Sequence, residues 1–112
     1  QWDVVMNVNL KGAFNCIRAA VRPMMSQRRG RIISIASIVG QTGNAGQANY
    51  AASKAGIEYA TQVAALEYGP DQVRINCIAP HLIETEMTAA IFEPSRAMLV
   101  LSIGNQIVLR LI

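Results

Sequence analysis

The chain has 112 residues, of which 52% are apolar and 15% charged, and its formal net charge is +3. A chain of this length forms one domain at most, and so apolar a composition excludes an intrinsically disordered chain. Polar residues interrupt the long uncharged stretch 32–53, so no membrane-spanning helix is predicted. The chain starts at Gln1 and reaches Asp3 before any apolar run, so no signal peptide is visible, and we expect a fragment of a longer protein.

The first predicted element is a long amphipathic helix from Trp2 to Met25, because apolar residues recur there every three or four positions. Gly30 is predicted to end it. Residues 31–37 (RIISIAS) are β-branched and nearly continuous in their apolarity, which predicts a parallel strand covered on both faces.

A glycine-rich loop follows this strand, and its G-x-x-G-x-x-G spacing differs from the G-x-G-x-x-G of dinucleotide-binding loops. We therefore expect the loop to shape the mouth of a site at the carboxyl end of its strand. Asn49 is predicted to cap a second helix from Tyr50 to Tyr68. Residues 73–79 (VRINCIA) predict a second strand, which Pro80 stops.

This order of elements predicts the α/β class, with a βαβ crossover in a doubly wound, Rossmann-like parallel sheet that has helices on both faces. Residues 1–90 carry the pattern, and they would be an incomplete, C-terminal part of such a sheet. Residues 91–112 form an apolar tail without clear periodicity, for which no element is predicted.

Positive charge is concentrated in residues 1–31, whose local net charge is +5. A solvated helix end, an acidic partner and, more weakly, nucleic acid all agree with this charge. Cys16 and Cys77 lie in apolar surroundings, and we expect both to be reduced core thiols. With His81 as the one histidine, expected in an exposed loop, no metal-ligand cluster is predicted.

Three side chains suggest acid–base chemistry. Tyr50 and Lys54 are four residues apart at the start of a predicted helix, so they share a face, and Ser37 ends the preceding strand at the same sheet edge. A phenol has an ordinary pKa of about 10 and acts near neutral pH when a cation favours its phenolate. Lys54 can supply that cation, and the Ser37 hydroxyl can hold a carbonyl oxygen against the phenol.

Together with Asn9, Ser37, residues 50–54 (YAASK) and residues 80–85 (PHLIET), this pattern resembles the short-chain dehydrogenase/reductase family. Residues 46–50 (GQANY) and 83–88 (IETEMT) are similar to the 3-oxoacyl-[acyl-carrier-protein] reductases within it. The resemblance covers about residues 2–90. His81 stands where the family usually has glycine.

The resemblance implies a role for each matching residue. Tyr50 would donate the proton to a ketone, and Lys54 would lower the pKa of Tyr50; both would also contact the cofactor, Lys54 at the nicotinamide ribose. Ser37 would orient the carbonyl, and Asn9 would anchor a water of a proton relay by kinking its helix. The nicotinamide half of the cofactor would be lined by Pro80, Ile83 and Thr85. Residues 1–90 would be the catalytic half of the domain, without the N-terminal cofactor-binding half.

The resemblance further implies NADP, or else NAD, as cofactor and reduction of a 3-oxoacyl thioester, carried by acyl carrier protein or CoA, in fatty acid biosynthesis. It implies a homodimer or homotetramer in the cytoplasm or an organelle, with no nucleic acid or membrane partner. The alternative is a catalytically silent fragment that keeps only a helix-pairing surface for oligomerisation. A basic nucleic-acid module, resting on the N-terminal arginines alone, is a third hypothesis.

Overall fold

The computed structural model describes residues 1–81 and 108–110. The predicted first helix is confirmed: α1 (Trp2–Val5) runs through a π-helical segment (Met6–Lys11) into α2 (Gly12–Gln27). Its C-cap is Arg28, in the left-handed conformation with φ of 50°, so the helix ends before Gly30. The amides of Arg28 and Arg29 donate to the carbonyls of Met25 and Met24, which satisfies the helix end without a glycine.

Two parallel strands form the centre of the sheet. β1 (Gly30–Ile35) pairs with β2 (Val73–Ala79), in register from Gly30 opposite Val73 to Ile35 opposite Ile78. The predicted α/β fold with a parallel βαβ crossover is therefore confirmed. β1 ends two residues before the predicted Ser37. The tail, for which no element was predicted, adds β3 (Val108–Arg110), which pairs antiparallel with β2.

The crossover between the strands contains a short helix, α3 (Val39–Thr42), a long helix, α4 (Ala48–Tyr68), and a 3₁₀ turn, Gly69–Asp71. α4 is rich in alanine, the strongest helix former. Its N-cap is Gln47, so the prediction that Asn49 caps it is wrong. Asn49 lies inside the first turn, where its Oδ1 accepts a hydrogen bond of 2.8 Å from the free Tyr50 amide.

The core lies between the sheet and both long helices, α2 and α4. One cluster joins the helices to the start of β2: Ile17, Val21, Ala64, Val73 and Ile75. A second cluster lies nearer the carboxyl ends of the strands: Ala36, Ile57, Cys77 and Ala79. Every second residue of β2 is buried, which indicates that the helices pack on one face of the sheet.

The opposite face of β1 is exposed in the described part of the chain, where Ile33 and Ile35 are 61% and 54% accessible. The prediction that this strand is covered on both faces is therefore wrong for the residues described. The reason is that α2 and α4 both lie on the side of Ser34, the buried residue between them. A shallow groove runs along the strand edge beside α2.

Cys77 is buried as predicted, but Cys16 is exposed, so its assignment to the core is wrong. Ile17, the next residue of α2, takes the buried position, and a step of about 100° turns Cys16 outward. His81 is half-buried rather than exposed. Among residues 1–81 and 108–110 there is no acidic, histidine and cysteine cluster able to hold a metal. The same residues include no helix long and apolar enough to cross a membrane.

All six basic residues in the first 31 positions are exposed. Arg28 is paired with Asp71, with Nη1 3.6 Å from Oδ1, and its Nη2 donates to the carbonyl of Pro70 at 3.2 Å. This arrangement ties the end of α2 to the turn before β2. A solvated helix end therefore accounts for the N-terminal charge.

Candidate active site

The candidate site lies where the carboxyl ends of β1 and β2 meet. The strands remain linked past the end of β1, because the Ala36 amide donates to the carbonyl of Ile78 at 2.8 Å. The Ile38 amide then donates to the carbonyl of Pro80 at 3.0 Å. Ser37, between these two bonds, is therefore next to Pro80, as the sequence predicts. Open α/β sheets bind their ligands at this edge.

Ser37 is buried, with 9% of its surface exposed. Its Oγ accepts a hydrogen bond of 3.3 Å from the amide of Val39, the first residue of α3. A serine hydroxyl that accepts one bond still has its own proton to donate. The orientation of the Ser37 hydroxyl is thus set by α3, and its proton is available to an oxygen at the sheet edge.

Tyr50 and Lys54 lie on the same face of α4, as predicted. The Lys54 Nζ is 5.7 Å from the centroid of the Tyr50 ring, within the range of a cation–π contact. The same Nζ donates to the carbonyl of Ile35, the last residue of β1, at 3.0 Å. Lys54 therefore connects the phenol to the strand that leads to Ser37.

Asn9 reaches the same helix from the π-helical segment. Its Nδ2 donates to the Oγ of Ser53 at 3.1 Å, and the Ser53 Oγ donates to the carbonyl of Tyr50 at 2.7 Å. Ser53 is completely buried. Sequence reasoning gave Ser53 no role, although a serine three residues after Tyr50 in a helix can bond to that carbonyl. π-helical turns are frequent at functional sites.

Two glycines allow the close contacts that bring these parts together. A Cβ on Gly40 of α3 would lie 2.7 Å from the Ala55 amide nitrogen of α4. A Cβ on Gly56 of α4 would lie 2.8 Å from a Leu10 methyl carbon of the π-helical segment. Neither space admits a side chain without a shift, so both approaches to α4 depend on glycine.

The structure thus brings together five of the predicted site residues: Asn9, Ser37, Tyr50, Lys54 and Pro80. The other two, Ile83 and Thr85, lie outside the described residues, as does the predicted boundary at Ala90. A phenol, an ammonium group and a serine hydroxyl at one edge can together donate a proton to a carbonyl oxygen and stabilise the charge left behind.

Known proteins share this sequence and architecture. The family model for short chain dehydrogenases matches residues 1–96. A 3-oxoacyl-[acyl-carrier-protein] reductase FabG of Thermotoga maritima is 48% identical over 95 residues, which cover 85% of this chain and 39% of that protein. The FabG of Staphylococcus aureus is 47% identical over 91 residues, which cover 81% of this chain and 37% of that protein.

The crystal structure of an NAD⁺-bound xylitol dehydrogenase superposes with a TM-score of 0.75 at 34% sequence identity. The superposition covers 78% of this chain and 34% of that one. The chain therefore spans well under half the length of the proteins it matches. Because the family model covers most of the sequence and the fold agrees with it, the chain belongs to the short-chain dehydrogenase/reductase family.

Proposed function

We propose that the protein containing this chain is an NAD(P)-dependent oxidoreductase that reduces the ketone of a 3-oxoacyl thioester to a hydroxyl group. The observation that carries the proposal is the double contact of Lys54, to the Tyr50 ring and to the end of β1 beside Ser37. The thioester substrate is supported by the sequence identity to 3-oxoacyl-[acyl-carrier-protein] reductases. A location in the cytoplasm stays a prediction.

In this mechanism the Tyr50 hydroxyl donates its proton to the carbonyl oxygen of the substrate. The Lys54 ammonium group stabilises the phenolate that remains, because opposite charges attract strongly in a partly desolvated site. The Ser37 hydroxyl donates a hydrogen bond to the same carbonyl oxygen and fixes its orientation. When bound, the nicotinamide cofactor supplies the hydride that adds to the carbonyl carbon.

The chemistry of the residues present suits such a cofactor. An ammonium group has three donors, and the bond to the Ile35 carbonyl uses one of those on Lys54. The others can bind the ribose hydroxyls beside Tyr50, and Pro80, with Ile83 and Thr85, would contact the nicotinamide. We propose NADP as the preferred cofactor, with NAD as the alternative.

Asn9 is proposed to anchor a water of the proton relay that reprotonates Tyr50. One amide N–H of Asn9 is used by Ser53. Its second N–H and its amide oxygen are the groups with which a side-chain amide can bind water. The bond to Ser53 fixes the direction of both.

The test is to replace Tyr50 with phenylalanine in the full-length enzyme. The Tyr50→Phe variant lacks the proton donor and keeps the ring, so we expect an intact fold and a loss of about 100-fold or more in kcat. Oxidation of NADPH or NADH with acetoacetyl thioesters of CoA and of acyl carrier protein measures it. Tyr59→Phe, an exposed tyrosine on the same helix, is the matched control. Turnover by Tyr50→Phe at the wild-type rate would remove this mechanism.

A second proposed function is assembly through the helices. Large apolar side chains are exposed on both long helices: Trp2, Val4, Val8, Phe14, Tyr59, Val63 and Leu66. Exposed apolar patches of this kind mark interfaces between proteins. We propose that they pair with a second copy of the chain in a homodimer or homotetramer. A full-length protein that assembles without reducing thioesters would favour the catalytically silent alternative.

A further inference from the structure

A buried carboxylate on α4 has no part in the proposed mechanism. Glu58 is only 6% exposed, although it follows Lys54 by one helical turn. Burying a charged group is costly unless hydrogen bonds replace the lost water. An apolar side chain would fill the same place without that cost, so the carboxylate calls for a specific reason.

The partner of this carboxylate lies on α3. The Gln41 Nε2 donates to both carboxylate oxygens of Glu58, at 3.0 and 3.1 Å. Hydrogen bonds to ionised acceptors are stronger than those between neutral groups. The amide of Gln41 therefore connects α3 to the middle of α4 across 17 residues of sequence.

α3 needs such a connection. It has four residues, about one turn, and an isolated helix of that length is unstable in water. Gly43 and Gly46, which follow it, have φ of 72° and 80°, so the chain beyond α3 is built on flexible residues. Two contacts hold α3 on α4: the close approach of Gly40 to Ala55 and the bond from Gln41 to Glu58.

The position of α3 decides the position of Ser37. The Val39 amide, the first of α3, donates to the Ser37 Oγ, and the Ile38 amide is bound to Pro80. A shift of α3 along α4 would move this amide and release the hydroxyl. Errors of about 1 Å in the placement of a reacting group can cost about 100-fold in rate.

We propose that Gln41 and Glu58 are positioning residues, whose hydrogen bond holds α3 on α4 and thereby fixes the Ser37 hydroxyl relative to Tyr50 and Lys54. The proposal rests on the proposed reduction for its effect on rate. Its effect on the structure of α3 is independent of any substrate.

The experiment compares Glu58→Leu, Gln41→Met and the double variant in the full-length enzyme. Hydrogen–deuterium exchange of the amides in residues 38–43 reports on α3 without any substrate. We expect exchange about tenfold faster in each variant and kcat about tenfold lower, at unchanged cofactor affinity. The double variant should be no worse than the single variants, because all three lose one and the same bond.

Two further variants separate positioning from stability. Glu58→Gln keeps an acceptor oxygen for Gln41 and should retain most of the protection of α3 and most of kcat. Thr61→Val removes a completely buried hydroxyl that donates to the Ile57 carbonyl one turn further along α4. It should lower Tm and leave kcat and the exchange of residues 38–43 unchanged.

Unchanged exchange of residues 38–43 in both Glu58→Leu and Gln41→Met would overturn the proposal, as would losses that multiply in the double variant. A wild-type enzyme with no turnover of thioesters would contradict the proposed function only. In that case faster exchange in the variants would still support the positioning bond, and equal exchange would still refute it.

Discussion

Ser53 is a single buried hydroxyl that serves two partners, the Asn9 amide and the Tyr50 carbonyl. We predict that Ser53→Ala destabilises the full-length protein by about 1–3 kcal/mol, because the buried amide of Asn9 loses its acceptor. Urea unfolding would measure this change. The same variant should lower kcat, since the orientation of Asn9 is released.

The matched control for this prediction is Ser26→Ala. Ser26 also bonds to a carbonyl of its own helix, that of Arg22, but it is exposed and reaches no second element. Its replacement should change the free energy of unfolding by less than about 0.5 kcal/mol. Equal effects of the two substitutions would show that the bond from Asn9 contributes nothing.

Cys77 makes stability depend on pH. Burial of this thiol raises its pKa above the ordinary value of 9.0. Its contribution to stability is therefore complete below about pH 9 and is lost as the pH rises through the higher pKa of the folded state. We predict that the free energy of unfolding falls more steeply above pH 9 in the wild type than in Cys77→Ala, as measured by urea unfolding at a series of pH values.

Cys16 is the internal comparison, because it is exposed. Cys16→Ala should keep the full wild-type slope above pH 9. A wild-type slope in Cys77→Ala as well would mean that other groups cause the dependence on pH.

At the scale of elements, the contact of α3 with α4 depends on the absence of a side chain at Gly40. We predict that Gly40→Ala lowers Tm and kcat together, because its Cβ would come within 2.7 Å of the Ala55 nitrogen and push α3 away. Differential scanning calorimetry and steady-state kinetics would measure both. Gly69→Ala is the control: a Cβ there meets no atom within 4 Å and φ is −55°. It should leave both quantities near the wild-type values.

The strands, the long helices and the residues of the site could be predicted from the sequence because they carry strong local patterns. Val73–Ala79 has the β-branched and apolar residues of a buried strand, and the structure has the same bounds. Tyr50 and Lys54 share a face through helical spacing alone. Placing Ser37 near them needed only the rule that parallel strands end at one edge of the sheet.

The remainder depends on tertiary contacts that leave little trace in the sequence. The bond from Gln41 to Glu58 joins a short loop helix to a long one, and no spacing rule links the two positions. Asn49 has the residue type of a helix cap, yet Gln47 takes that place because the preceding loop enters the helix earlier. The exposure of Ile33 depends on which side of the sheet the helices occupy.

At the scale of the whole molecule, the exposed apolar residues of α4 predict self-association. Val63 and Leu66 are 53% and 76% exposed on adjacent turns. We predict that Leu66→Arg in the full-length protein shifts the assembly toward smaller species, because a buried guanidinium without a partner opposes pairing. Sedimentation velocity at low micromolar concentration would detect the shift.

Gln27→Arg provides the comparison for that experiment. It adds the same charge at an exposed position on the last turn of α2. The variant should sediment as the wild type does. A monomeric wild type, or an assembly unaffected by Leu66→Arg, would contradict pairing through α4.

The parallel pairing of β1 with β2 also fixes when the site can form during synthesis on the ribosome. The site joins Asn9 to Ser53 across 44 positions and Lys54 to Ile35 across 19, and the Ile38 amide needs the Pro80 carbonyl. Parallel strands cannot pair until the whole crossover between them has been made. The nascent chain therefore holds β1 and its apolar isoleucines unpaired while α4 is translated. Chaperones that bind apolar segments can act in this interval, and the site appears only after residue 80 has left the exit tunnel.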